Sequence, residues 1–179
     1  MRYPSATMLP IILASILASL TQALPTAVDA RASVSNQALA DAQNQWRADT
    51  SRVSQFLSAA PTLSGEGLAT AAAAALASEQ DELTHKAVLD GALLATDARV
   101  RAADDVLVAQ GTFQSVVDAL QQLTDSGAAM SPADVAALVA RTNTVRCGRV
   151  LPAIDTYFRV TGEKLNNGGF LVATRPNNC

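Results

Sequence analysis

The sequence predicts an all-α protein, an up-and-down bundle of four to five helices with a C-terminal tail stapled by one disulfide. Three observations carry this. Alanine, the best helix former, supplies 36 of the 179 residues. Apolar residues recur at steps of three and four in four separate stretches. No run of useful length alternates as a half-buried strand would. With 49% hydrophobic and only 16% charged residues, the chain has the apolar content to build a core and lacks the high net charge of disordered chains.

Residues 1–23 read as a secretory signal peptide. Arg2 precedes the apolar run Met8 to Leu20, and small Thr21 and Ala23 stand three and one positions before a cut after Ala23. The run is too short to span a bilayer, which takes roughly 20 apolar residues. Residues 24–32 read as a flexible N-terminal segment, 33–161 as the helical bundle and 162–179 as the tail. The expected location is therefore extracellular, with no integral membrane segment once the signal is removed.

The first helix is expected over 33–60, where Leu39, Ala42, Trp46, Asp49, Val53, Phe56 and Ala60 form one stripe that is apolar except at Asp49. Burying an unpaired carboxylate is costly, so Asp49 is expected at the stripe's edge, paired with Arg52 or Arg47. Pro61 ends this helix. Ser64 and Glu66 open the next, with Leu68, Ala72, Ala75, Leu76, Leu83 and Ala87 inward and Asp90 and Gly91 at its end. The run Ala71 to Ala75 predicts close helix packing with little room for a cavity.

A third helix spans Asp97 to Thr124, with Val100, Ala103, Leu107, Phe113, Val117, Leu120 and Leu123 inward and Gly111 its weakest point, where it kinks or breaks. Ser131, Pro132 and Asp134 supply an N-cap, a first-turn proline and a first-turn acid for a fourth helix carrying Val135, Leu138, Val145 and Val150. Pro152 kinks that helix or begins a short fifth one with Ile154, Tyr157, Phe158 and Val160. Leu165 to Gly169 reads as turn, after which Phe170, Leu171 and Val172 are expected to lie extended against the bundle.

Cys147 and Cys179 are the only cysteines. In an exported chain an even pair is expected to bridge, which fastens a tail that would otherwise fray. Without residues 1–23 the chain carries 12 basic and 16 acidic residues, a net charge of −4. The basic residues concentrate late: Arg141, Arg146, Arg149, Arg159, Lys164 and Arg175 follow an acidic body. A basic last helix packed among acidic ones balances charge internally, and this is favoured over a polyanion-binding face. The acidic total and the lack of aromatics among these basic residues argue against nucleic acid as a partner.

Catalytic and metal classes lose their usual carriers. Glu82 and His85 have the i, i+3 spacing of a carboxylate-bridged metal bundle, but that design takes a second Glu-x-x-His, and His85 is the chain's one histidine. The expected arrangement is Glu82 with Lys86 and Asp81 with His85 as i, i+4 ion pairs on a solvated face. Asp81 with Glu82, or Asp104 with Asp105, diverge by about 100° on a helix and cannot flank one glycosidic bond. No Gly-x-Ser-x-Gly elbow occurs. The expectation is a non-enzyme with no catalytic residues, no metal ligands and no cofactor.

The segments QWRADTSRVSQFLSAA and DELTHKAVLDG, within an alanine-rich, cysteine-poor and acidic chain, resemble small secreted proteins of filamentous fungi. Among these the chain is loosely similar to the hydrophobic-surface-binding protein A, or cell-wall galactomannoprotein, family. The resemblance implies a secreted helical protein that adsorbs to hydrophobic surfaces or the cell wall and recruits hydrolases there. The chain departs from that family in its Cys147 and Cys179 pair, its basic C-terminal segment and the lack of an Asn-x-Ser/Thr sequon. The functional expectation is an interaction protein that binds a cell wall or hydrophobic surface. The alternatives are a carrier of a small apolar ligand such as a lipid, and an effector that binds a partner protein.

Overall fold

The computed structural model describes residues 33–167 and 171–179, which belong to one unit, Ala32–Cys179. The expected signal peptide (1–23) and linker (24–32) lie outside the described residues, as does Phe170. The described residues are helical apart from short connections and the tail, with no strand among them.

Helix α1 runs Asn36–Ala59, and the Ser35 side chain accepts from the Ala38 N–H at its start. The 3₁₀ turn Ala60–Thr62, with Pro61 inside it, ends the helix where the sequence says it should. Helix α2 runs Gly65–Leu93. Ser64 precedes it, but its hydroxyl makes no capping bond. Helix α3, Ala98–Asp104, is capped by Asp97 and passes into a π-helical turn, Asp105–Ala109. Gly111 then breaks the rod at φ +65°, and α4 runs Thr112–Ser126. A Cβ on Gly111 would meet nothing within 4 Å, so glycine is required there by backbone conformation and not by space.

Helix α5, Pro132–Val145, starts on the cap read from sequence, with Ser131 accepting from the Asp134 N–H at 3.2 Å. A π-helical turn, Arg146–Val150, joins it without a gap to α6, Leu151–Leu165. Pro152 therefore neither stops the rod nor starts a separate one. It falls in the first turn after a wider turn, where a missing N–H is tolerated. Counting α3 and α4 together across the Gly111 break, and α5 with α6 by continuity, the described residues form four rods. The last rod passes the expected boundary at 161 and ends where Asn166 turns left-handed at φ 51°.

The core lies where α1, α2 and α6 meet. Trp46, Tyr157 and Phe158 are fully buried, with the Trp46 ring 5.2 Å from Tyr157 and edge-on to Phe158 at 5.7 Å. All seven stripe positions of α1 are buried, Asp49 among them. Three expectations fail. Asp49 lies inside the stripe and not at its edge, and there Arg52 and His85 meet its carboxylate. Leu83 and Ala87 point outward, and Val116 takes the buried place assigned to Val117, which is only partly covered.

The tail from Leu171 to Cys179 lies along α1 and the α5–α6 rod. Asp155 accepts from the Ala173 N–H at 2.7 Å and pairs with Arg175, while Ser54 donates to the Thr174 carbonyl at 2.6 Å. Asn178 bridges the Leu57 carbonyl and Asn143. The Cys147–Cys179 disulfide closes this seam, as expected. Among the described residues no helix is long and apolar enough to cross a membrane.

Candidate functional site

The inward stripe of α2 explains the failed assignment of Leu83 and Ala87. Leu68, Ala72, Ala75, Glu79, Glu82, Lys86, Leu89 and Leu93 step alternately by four and three and are all buried. The helix keeps its heptad register and turns three ionisable residues into the core. Glu82 and Lys86 therefore form no pair on a solvated face; each has partners on other helices.

Glu79, Glu82 and Arg146 have no exposed side-chain surface. The Arg146 guanidinium donates to Glu79 Oε2 at 2.7 Å and to the Thr50 carbonyl at 3.3 Å, and it approaches Glu82 Oε1 at 3.6 Å. The indole Nε1–H of Trp46 donates to Glu82 Oε2 at 2.7 Å. Two carboxyls thus share one guanidinium. Burial pushes both carboxyls above their ordinary range, and Glu82 goes further because Glu79 and Asp49 add negative charge beside it while Arg146 and Trp46 only partly offset the shift. Of the two carboxyls, Glu82 is the one pushed further towards its protonated form. Among the described residues, Glu79 Oε1, Glu82 Oε1 and Arg146 Nε are buried without a hydrogen-bond partner.

Lys86 anchors a second cluster. Its ammonium pairs with Asp90 at 2.6 Å and with Asp104, and it lies 5.4 Å from the centre of the Tyr157 ring. Tyr157 donates to Asp90 Oδ1 at 2.7 Å. Burial and the hydrogen bond to this carboxylate hold its hydroxyl protonated far above the usual tyrosine range. This cluster joins α2, α3 and α6.

A third cluster opens to solvent. Asp49 is 3% exposed, inside the bundle and not at its edge; the expected pairing with Arg52 is made through Oδ1, while its Oδ2 lies 3.3 Å from His85 Nε2. The same nitrogen is 3.4 Å from Asp81 Oδ2, so the expected Asp81–His85 pair is present with a second carboxylate added from α1.

The remaining candidates separate. Asp104 turns in to Lys86 while Asp105 turns out to Gln110, and Asp81 is exposed while Glu82 is buried. The six late basic residues do not share one surface: Arg146 is inside, Arg175 holds Asp155, and Arg149 reaches Gln110. Arg146 was legible only as a member of the basic segment; nothing local marks it as the partner of Glu79. The charged residues continuing the α2 stripe are the signal that places Glu79 and Glu82 inside.

On the outer side, α3 and the start of α6 leave a shallow groove of about 510 Å³. Ala102, Val106, Pro152 and Ala153 line it together with Arg149 and Arg159. Arg99, which also lines it, is clamped between Asp97 and Glu163 at 2.8 and 2.6 Å. Hydrogen bonds from Arg99 hold the Glu163 carboxyl below its ordinary range, and Arg159, one turn before it on α6, helps to do so. Compared with protein-family models, curated proteins and solved structures, the chain finds no match.

Proposed function

We propose that the protein is a secreted, non-enzymatic interaction protein that acts by contact, and that its contact surface is the groove between α3 and α6. The observation that carries this is the pairing of apolar side chains with arginines in a groove of about 510 Å³, within the roughly 300–1,000 Å³ typical of small-molecule sites. The charge complementarity selects an acyl chain bearing an anionic head group. Around Glu79 the acids and base are fully buried and meet each other, and Lys86 is nearly buried against Asp90 and Asp104. The large exposed hydrophobics of the described residues, Leu83, Val108 and Val172, belong to three different elements. The groove therefore supports contact with apolar material better than any one of them.

Titration of the disulfide-intact protein with a fluorescent fatty-acid analogue tests this reading. One molecule should bind per chain, with affinity falling in high salt, weakening in Arg159→Ala and disappearing in Ala102→Trp, which fills the groove. Adsorption to a neutral hydrophobic resin, unchanged by either substitution and without fatty-acid binding, would instead favour the surface-adsorbing role implied by the fungal resemblance. Capture of a single partner protein by the wild type, with no lipid bound, would favour the effector reading.

A further inference from the structure

The open cluster on α1 and α2 has a geometry that ordinary ion pairing does not require. His85 and Asp81 are one turn apart on α2 and present ligand atoms on the same side, and Asp49 approaches from the neighbouring helix. One oxygen from each carboxylate and one ring nitrogen lie within 4.8 Å of one another. The two oxygen–nitrogen separations are 3.3 and 3.4 Å. Metal–ligand bonds of about 2.0–2.2 Å at a tetrahedral centre place neighbouring donor atoms roughly 3.4 Å apart. Three such atoms converging this closely are reconciled either by a hydrogen on the ring nitrogen, in a neutral or charged imidazole, or by a metal ion.

We propose that Asp49, Asp81 and His85 bind one divalent transition-metal ion of the zinc class, with a fourth position open to solvent. The donor set suits it: imidazole with carboxylates is a borderline-hard site of the kind zinc accepts, and three protein ligands with one open place is the form zinc takes outside its closed four-ligand structural sites. The two donors with little exposure, Asp49 and His85, sit on long helices, so the site is held before a metal arrives. Arg52 grips the other oxygen of Asp49 and fixes its orientation as an outer partner. Its charge leaves the four groups at net −1 with a neutral imidazole, so a dication remains favoured. A hollow of about 540 Å³ opens beside the two carboxylates, bordered by Asp49, Asp81, Ser78 and Thr84 but not by His85. The mononuclear set needs no second histidine, unlike the paired design the Glu82–His85 spacing suggested. It is also independent of the α3–α6 groove.

The test is titration of purified, untagged, disulfide-intact protein with Zn²⁺ by calorimetry and with Co²⁺ by visible absorption. With both cysteines in the bridge and one histidine in the chain, imidazole coordination can come only from His85. The expected result is one ion per chain and the strong ligand-field bands of four-coordinate cobalt. Binding should weaken tenfold or more in Asp81→Asn and His85→Ala and stay unchanged in Glu66→Gln. Asp81 is exposed, so Asp81→Asn keeps the fold even if replacement of His85 disturbs it, and its melting temperature should no longer rise with Zn²⁺. Absence of stoichiometric uptake by the wild type, or uptake that survives Asp81→Asn at full strength, would overturn the assignment.

Discussion

Arg146 and Glu79 meet at 2.7 Å with neither side chain exposed, joining the π-helical turn after α5 to the centre of α2. Removing one member of such a pair strands the other in a low-dielectric interior. Arg146→Met is expected to destabilise the fold by about 3–5 kcal/mol in urea unfolding monitored by circular dichroism. Replacing the carboxyls as well, as Arg146→Met with Glu79→Leu and Glu82→Gln, should recover most of that loss. If the triple variant is no more stable than the single one, the stranded carboxylates are not the cause.

The raised Glu82 carboxyl makes stability depend on pH in a defined direction. Its folded-state value lies well above the ordinary 4.5, so folding favours the protonated carboxyl. The contribution is complete below that ordinary value and is lost as pH rises through the folded one. Glu82→Gln mimics the protonated form and retains an acceptor for Trp46. It should flatten the decline in melting temperature above about pH 5, whereas an unchanged profile would mean that Glu82 is not its source.

Asp97 gives the opposite limb. Hydrogen bonds from Arg99 hold its carboxyl down at about 2, below the ordinary 3.8. Its contribution is complete above the ordinary value and is lost as pH falls towards the folded one. Asp97→Asn should therefore remove part of the acid-side loss of stability and leave the neutral-to-alkaline limb unchanged, as read from thermal melts across pH.

The bridge between Cys147 and Cys179, 32 positions apart, should contribute about 3.5–4 kcal/mol through the entropy of the unfolded chain. The double variant Cys147→Ser with Cys179→Ser is expected to lose about that much. Asp155, Ser54 and Asn143 still hold the tail, so hydrogen exchange should speed up most near Cys179 and least at Ala173, whose N–H is bonded to Asp155. Uniform exchange along the tail would show that the side-chain bonds do not hold it without the bridge.

Gly111 adopts a left-handed conformation with open space around its α-carbon. Gly111→Ala should cost about 1–2 kcal/mol from backbone strain alone, and Gly111→Asn less, because asparagine tolerates that region. Equal losses measured by denaturant unfolding would point to something other than backbone conformation.

The helices and their limits could be read from local chemistry. The stops at Pro61 and Gly111, the cap at Ser131 and the α1 stripe each rest on residues within one or two turns, and the only two cysteines left one intramolecular pairing. Packing alone decided what α2 turns inward. Hydropathy sends charged residues to the surface, so the stripe seemed to drift to Leu83 and Ala87, while the unbroken heptad spacing carried Glu79, Glu82 and Lys86 into the bundle. That placement is stable because Arg146 and Trp46 meet the glutamates and Asp90 and Asp104 meet the lysine, across separations in sequence that no local pattern records. The meeting of Asp49 with Asp81 and His85 has the same origin: spacing set two of the three groups on one face of α2, and the axial register of α1 against α2 supplied the third.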